Sequence, residues 1–358
     1  MRRGAERSLS PVTACWQFIE EPMEYINLGR TGCKVSRLCL GTMNFGPRTS
    51  EPDAHAIMSR ALDLGMQFWD TANVYGGKPG EGITEQIIGN WLAANSVRRD
   101  QIVLATKFQG NMGPGPNDRG ASAFHIRQAC EASLRRLKTD HIDLYQMHHI
   151  NRDCAWEEVF DALEVLRQQG KIIYAGSSNY AGWHIAQAAE AARRLGILGM
   201  VCEQSKFSLD CRFIELEVLP ACRAYGLGVI PWSPLSGGIL GGVLGADKGV
   251  RRSSPQETRK IDLFRPQLER WEAFCKETGE RPADLALAWM LHIPGITGPI
   301  IGPRTLQQLE EAQRALAIKL SAEQMAAIDE IWPPLRNIDA VHFVKGTVRH
   351  DAPEAYAW

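Results

Sequence analysis

The sequence contains no apolar run approaching the ~18–20 residues that a membrane span needs. It also lacks any block of basic residues: 40 Lys and Arg stand against 41 Asp and Glu, for a formal net charge of −1. These two absences argue against a membrane and against nucleic acid as the main partner. The nine cysteines (Cys15, Cys33, Cys39, Cys130, Cys154, Cys202, Cys211, Cys222 and Cys275) include no CxxC pair and no zinc-type grouping. Their odd number and irregular spacing fit reduced thiols in a cytoplasm better than a disulfide scaffold, and no metal site is expected. The basic start, "MRRGAERSLSPVTACWQFIEEP", is not followed by the continuous apolar core of a signal peptide. Residues 1–22 are therefore read as a disordered arm, or as preceding a true start at Met23. No internal repeat or low-complexity linker cuts the rest, so a single domain is expected over residues 23–332. A tail, 333–358, could fold over a pocket. Finally, no GxGxxG follows a strand and opens a helix, so a Rossmann dinucleotide site is not indicated.

What is present is alternation. Apolar residues make up 44% and charged residues 23% of the chain, enough for a sizeable core. Strand-like runs occur at 38–43, 67–73, 101–108, 141–149, 172–179, 199–207, 228–235 and 298–303, several of them nearly continuous apolar segments, as parallel strands covered on both faces require. Between them lie stretches of helical period such as "PDAHAIMSRALDLG", "FHIRQACEASLRRLK" and "AWEEVFDALEVLRQQG", two ending in a C-cap glycine and one carrying cations in its last turn. Eight β-then-α units predict a (β/α)8 TIM barrel, with a doubly wound open sheet as the competitor. Residues 241–260, rich in glycine and charge, read as a long loop over the active face.

In a barrel the catalytic face is built from the C-terminal ends of the strands. Those ends hold Asp70, Lys107, His148, Ser178 with Asn179, Gln204 and Ser233, and Tyr75 lies in the loop after Asp70. A buried lysine needs a partner, and Asp70 can supply it. A tyrosine, with a pKa of ~10, is a poor acid at neutral pH; a nearby ammonium favours its phenolate. Tyr75 can then protonate the oxygen of a carbonyl that accepts a hydride, while His148 donates a hydrogen bond to that oxygen. A lyase that uses Lys107 as a Schiff-base nucleophile remains a competing reading.

The motifs "GTMNFG" (41–46), "WDTANVYG" (69–76), "LATKF" (104–108), "IDLYQMHH" (142–149), "GSSN" (176–179), "EQSKF" (203–207), "WSPLSGGIL" (232–240) and "IIGPRTLQQLEE" (300–311) occur in one order and spacing. In these the chain resembles the aldo-keto reductase superfamily, from about Tyr25 to Trp332. Around "MHHINRD" and "SSNYAGWHIAQA" it is similar to bacterial members that include NDP-hexose 2,3-enoyl reductases; potassium-channel β subunits share the layout more distantly. The resemblance implies a TIM barrel that binds NADPH without a Rossmann fold, and a catalytic tetrad of Asp70, Tyr75, Lys107 and His148. It implies that Ser178, Asn179 and Gln204 hold the nicotinamide carboxamide, with Gly41, Thr42 and Met43 lining that end and Asp70 beside it. Trp232 would stack on the nicotinamide ring, and Ser233 and Leu235 would lie near the pyrophosphate. Gly302, Arg304, Gln308 and Glu311 match the adenosine-binding segment, where Arg304 suits a 2′-phosphate and so NADPH over NADH.

Two positions depart from the pattern. Ala312 stands where an asparagine usually follows the glutamate, and His149 stands where many relatives carry Trp or Arg at the substrate pocket. The leading expectation is a cytoplasmic NADPH-dependent reductase of a small aldehyde or ketone. Its alternatives are an enoyl reductase of nucleotide-linked sugars and a cofactor-sensing regulatory subunit. The physiological substrate and the oligomeric state are not legible in the sequence.

Overall fold

The computed structural model describes residues 23–77, 80–244 and 255–334. An antiparallel hairpin comes first, β1 (Tyr25–Asn27) against β2 (Lys34–Ser36). Eight parallel strands follow: β3 (Cys39–Gly41), β4 (Phe68–Asp70), β5 (Val103–Phe108), β6 (Ile142–Met147), β7 (Ile172–Ser178), β8 (Met200–Gln204), β9 (Gly228–Val229) and β10 (Ile300–Ile301). They are hydrogen-bonded in the order β10-β3-β4-β5-β6-β7-β8-β9. The seam between β9 and β10 is joined by the Thr297 N–H donating to Val229 O at 2.8 Å and the Ile300 N–H donating to Pro231 O at 2.8 Å. The result is a (β/α)8 barrel rather than an open doubly wound sheet, whose strand order reverses at a switch point.

Each expected run holds one strand, shorter than the run; except in β5, which reaches the end of its run at Phe108, the last residues leave the ladder to build the loops of the upper face. The helices start and stop where the sequence signals them. Ser50 caps Glu51–Asp63, and Gly65 beyond it takes φ +78°. Ser122 caps Ala123–Leu137, and Trp156–Gln168 is followed by Gly170 at φ +69°. The stretch 241–260 is a loop only in part, because a helix, Pro255–Leu263, begins at a proline. Residues 245–254, the arm 1–22 and the tail beyond 334 lie outside the described residues. No helix of the described residues is long and apolar enough to cross a membrane.

Alternate residues of each strand face opposite ways. One set fills the barrel, with Phe68, Ala105, Leu144, Cys202, Ile230 and Ile300 meeting Leu28 and Val35 of the hairpin region. The other set, including Trp69, Leu104 and Tyr145, packs beneath the helices. The hairpin closes the lower end so tightly that a Cβ on Gly29 (φ +54°) would stand 2.3 Å from Val201 O. Two residues further along the inward rows come Asp70 after Phe68, Lys107 after Ala105, Gln146 after Leu144, Gln204 after Cys202 and Trp232 after Ile230. The apolar fill thus ends where the polar residues begin, at the C-terminal mouth.

Candidate active site

Lys107, at 0% exposure, is the most buried cation of the mouth. Its ammonium donates to Asp70 Oδ2 at 2.7 Å, to Thr71 O at 2.8 Å and to the Tyr75 hydroxyl at 3.3 Å. The other carboxylate oxygen, Asp70 Oδ1, accepts from Gln204 Nε2 at 2.8 Å and from Gln146 Nε2 at 3.2 Å. Both buried charges are therefore paired and hydrogen-bonded, the condition for keeping them in a low-dielectric interior. Tyr75 is placed by a turn: its N–H donates to Ala72 O, and a Cβ on the next residue, Gly76 (φ +127°), would come 2.6 Å from Ile83 Cβ. The His148 ring stands edge-on to Tyr75, with centroids 5.9 Å apart and planes at 80°. Asp70, Tyr75, Lys107 and His148 thus meet at one point, although they come from two strands and from the loops after β4 and β6.

Their electrostatics are set by burial and by Lys107. Burial opposes the Lys107 charge, but Asp70 and Tyr75 favour it and hold its pKa above the usual lysine value. Burial pushes the Tyr75 hydroxyl up, Lys107 pulls it down and Asp70 pushes it up again, for a net rise. The sequence shows the ammonium that lowers this pKa; in the folded protein burial outweighs it. His148 is driven well below the usual imidazole range, first by burial, then by Lys107 and by His149. It is a neutral imidazole at neutral pH. His149 stacks on it at 5.0 Å, with planes 10° apart, and is itself lowered by burial and by Lys107.

A second network adjoins the first. Ser178 Oγ donates to Gln204 O at 2.9 Å, and Asn179 Nδ2 donates to Ser178 Oγ at 3.0 Å and to His148 O at 3.2 Å. Trp232 Nε1 donates to Asn179 Oδ1 at 3.0 Å. The expected carboxamide set and ring-stacking aromatic are therefore contiguous with the tetrad. Ser233 (φ +60°) and Leu235 lead into a turn containing Gly237 and Gly238, both at positive φ.

Three nearby expectations fare differently. Thr42 is buried, donating through N and Oγ1 to Asp70 O, so it fixes the strand end. Gly41 is accounted for by packing alone, since a Cβ there would come 2.5 Å from Ile300 Cγ2. Met43 is half exposed.

At the far end, Gly302 O accepts from Asn44 Nδ2 at 2.8 Å, and the Arg304 N–H donates to Gln308 Oε1 at 2.9 Å. The Arg304 guanidinium has no hydrogen bond or ion pair among the described residues. Glu311 is engaged with Arg281 at 2.8 Å and with Gln307 at 3.0 Å; Arg281 holds its carboxyl below the usual range. Ala312 is buried in the core and offers no polar contact.

Two buried polar residues in or beside the mouth escaped the sequence reading. Gln146 is fully buried and bound to Asp70. Glu203, also fully buried, lies one residue before Gln204 on the opposite face of β8. Its Oε2 accepts from Ser177 Oγ at 2.5 Å, and its Oε1 accepts from Ser205 Oγ at 2.6 Å and from the Tyr180 N–H at 3.1 Å. Burial pushes its pKa up to about 7. The available signal was the one that marked Asp70: a carboxylate inside an apolar run.

Comparison with known proteins agrees with this geometry. An uncharacterized oxidoreductase of Bacillus subtilis, YrpG, is 48% identical over 341 residues, covering 94% of this chain and all of that protein. Norsolorinic acid reductase stcV of Emericella nidulans is 35% identical, over 84% of this chain and 79% of its own length. A probable voltage-gated potassium channel subunit beta of Arabidopsis thaliana is 32% identical, over 83% and 92%. Residues 37–333 match the aldo/keto reductase family. The barrel, the tetrad and these matches together show that the chain belongs to the aldo/keto reductase family of oxidoreductases.

Proposed function

We propose that the protein is an NADPH-dependent reductase of aldehydes or ketones, with Tyr75 as its general acid. The observation that carries this reading is the 3.3 Å contact between the Lys107 ammonium and the Tyr75 hydroxyl, with Asp70 fixing the ammonium at 2.7 Å. When bound, a reduced nicotinamide would supply a hydride to the carbonyl carbon. As negative charge grows on the carbonyl oxygen, Tyr75 delivers its proton there. Burial keeps the phenol protonated beforehand, and Lys107 stabilises the phenolate left afterwards. Neutral His148 donates an N–H to the same oxygen.

The residues at the mouth suit the cofactor. Gln204 has an amide oxygen without a hydrogen bond among the described residues, and Ser178 and Asn179 adjoin it, which provides donors and acceptors for a carboxamide. Trp232 offers a ring face, and Ser233 and Leu235 begin the turn assigned to the pyrophosphate. Gly302 and Gln308 sit beside Arg304, whose uncommitted guanidinium suits a 2′-phosphate. Glu311 would reach the adenosine half only by sharing its bond with Arg281. A Schiff-base role for Lys107 is disfavoured, because a charged lysine held by three hydrogen bonds is a poor nucleophile. The eight described cysteines form no disulfide with one another, which agrees with a cytoplasmic setting.

The test is oxidation of NADPH in the presence of a panel of aldehydes and ketones. Carbonyl-dependent oxidation is expected. Tight NADPH binding with no turnover on any carbonyl would instead favour a cofactor-sensing regulatory subunit.

A further inference from the structure

We propose that Glu203 is a positioning residue for the nicotinamide end of the cofactor site, acting from the outer face of the sheet. The proposal rests on the NADPH reading above. Its basis is a coincidence of neighbours. Every group that Glu203 holds is the chain neighbour of a residue assigned to that end of the cofactor. Ser177, bound to Oε2, precedes Ser178. The Tyr180 N–H, bound to Oε1, follows Asn179. Ser205, also bound to Oε1, follows Gln204, and Glu203 itself precedes it. The grip extends one step further, because Ser205 O accepts the Trp232 N–H at 3.0 Å.

The chemistry requires an acceptor with two oxygens. Three donors from β7, from the loop after it and from the end of β8 converge on one side chain, and only a carboxylate takes them all without a competing donor of its own. The Tyr180 contact also bears on Asn179, whose backbone is left-handed (φ +59°), a conformation that non-glycine residues keep only where the surroundings fix it. Asn179 in turn touches Ser178, His148 and Trp232. A fully buried carboxylate with no cation beside it among the described residues carries a desolvation cost, which pushes its pKa up. Its place behind four cofactor-facing residues gives that cost a use.

The test compares two ligands that share the adenosine end but differ at the nicotinamide end. Dissociation constants for NADPH and for 2′,5′-ADP are measured on wild type, Glu203→Gln and Ser177→Ala. Glu203→Gln keeps the shape but replaces one acceptor oxygen with a donor; Ser177→Ala removes one hydroxyl, with its bonds to Glu203 Oε2 and Cys202 O, and leaves the Ser205 and Tyr180 bonds to Glu203 in place. The NADPH constant should rise at least about tenfold in Glu203→Gln and less in Ser177→Ala, as expected for losing charged hydrogen bonds. The 2′,5′-ADP constant should stay within about twofold of wild type in both. Unchanged NADPH binding in Glu203→Gln would overturn the proposal, as would an equal loss for both ligands, which marks a merely structural role. Wild-type protein that binds neither ligand would instead remove the cofactor reading itself.

Discussion

Gln204 Nε2 lies 2.8 Å from Asp70 Oδ1, so the carboxylate that anchors Lys107 through its other oxygen also anchors a residue assigned to the cofactor. In the proposed mechanism, proton delivery and cofactor placement therefore share one buried group. Replacing it with asparagine keeps the shape but leaves the Lys107 ammonium without its counter-ion. Removing one partner of a buried pair typically costs about 3–5 kcal/mol. Asp70→Asn should lose stability on that scale in urea unfolding and should also turn over at least about 100-fold more slowly, since the acid it serves contributes that much. A variant with normal stability and normal turnover would contradict the shared role.

Arg304 discriminates between cofactors if its open guanidinium meets a 2′-phosphate. A charge-assisted hydrogen bond is worth about 1.5–3 kcal/mol, or roughly 10–100-fold in affinity. Arg304→Ala should raise the dissociation constant of NADPH by that factor and leave that of NADH nearly unchanged. Equal losses for both would mean that Arg304 does not read the phosphate.

Glu203 imposes a pH dependence on stability whose sign follows from burial. Its pKa rises from 4.5 in the unfolded chain to about 7 in the fold. Below 4.5 both states are protonated and the group is neutral in its effect. Between 4.5 and about 7 the unfolded chain ionises first, so stability falls as pH rises, and above about 7 the full penalty of about 3 kcal/mol persists. Glu203→Gln removes that penalty. Relative to wild type, the variant should gain about 3 kcal/mol in denaturant unfolding at pH 8 compared with the same comparison at pH 4. A pH-independent difference would show that Glu203 is ionised normally in the fold.

The alternation of apolar runs and amphipathic helices carried the barrel, because parallel strands buried on both faces leave that trace in any sequence. The tetrad was legible for a related reason: Asp70, Lys107 and His148 interrupt such runs where no stability argument wants them. Glu203 and Gln146 interrupt them as well, but each lies within two residues of a more conspicuous polar neighbour, Gln204 and His148. The hairpin Tyr25–Ser36 was missed since three-residue strands around a Gly-Arg-Thr-Gly turn carry no usable period, and β1 is exposed throughout. The net effect on Tyr75 was not legible at all, for the competition between an ammonium and burial is decided by packing. The likeness to NDP-hexose 2,3-enoyl reductases rests on "MHHINRD" and "SSNYAGWHIAQA", and neither the geometry of the mouth nor the relatives reported above single out a nucleotide-linked sugar.

In the proposed mechanism the Tyr75 hydroxyl, made competent by Lys107 and Asp70, delivers the proton. Single-turnover oxidation of bound NADPH on a carbonyl, in wild type and Tyr75→Phe, reads that step alone. The phenylalanine ring preserves packing, so NADPH affinity should be unaltered and the rate at least about 100-fold lower. A variant that reduces the carbonyl at the wild-type rate would contradict it.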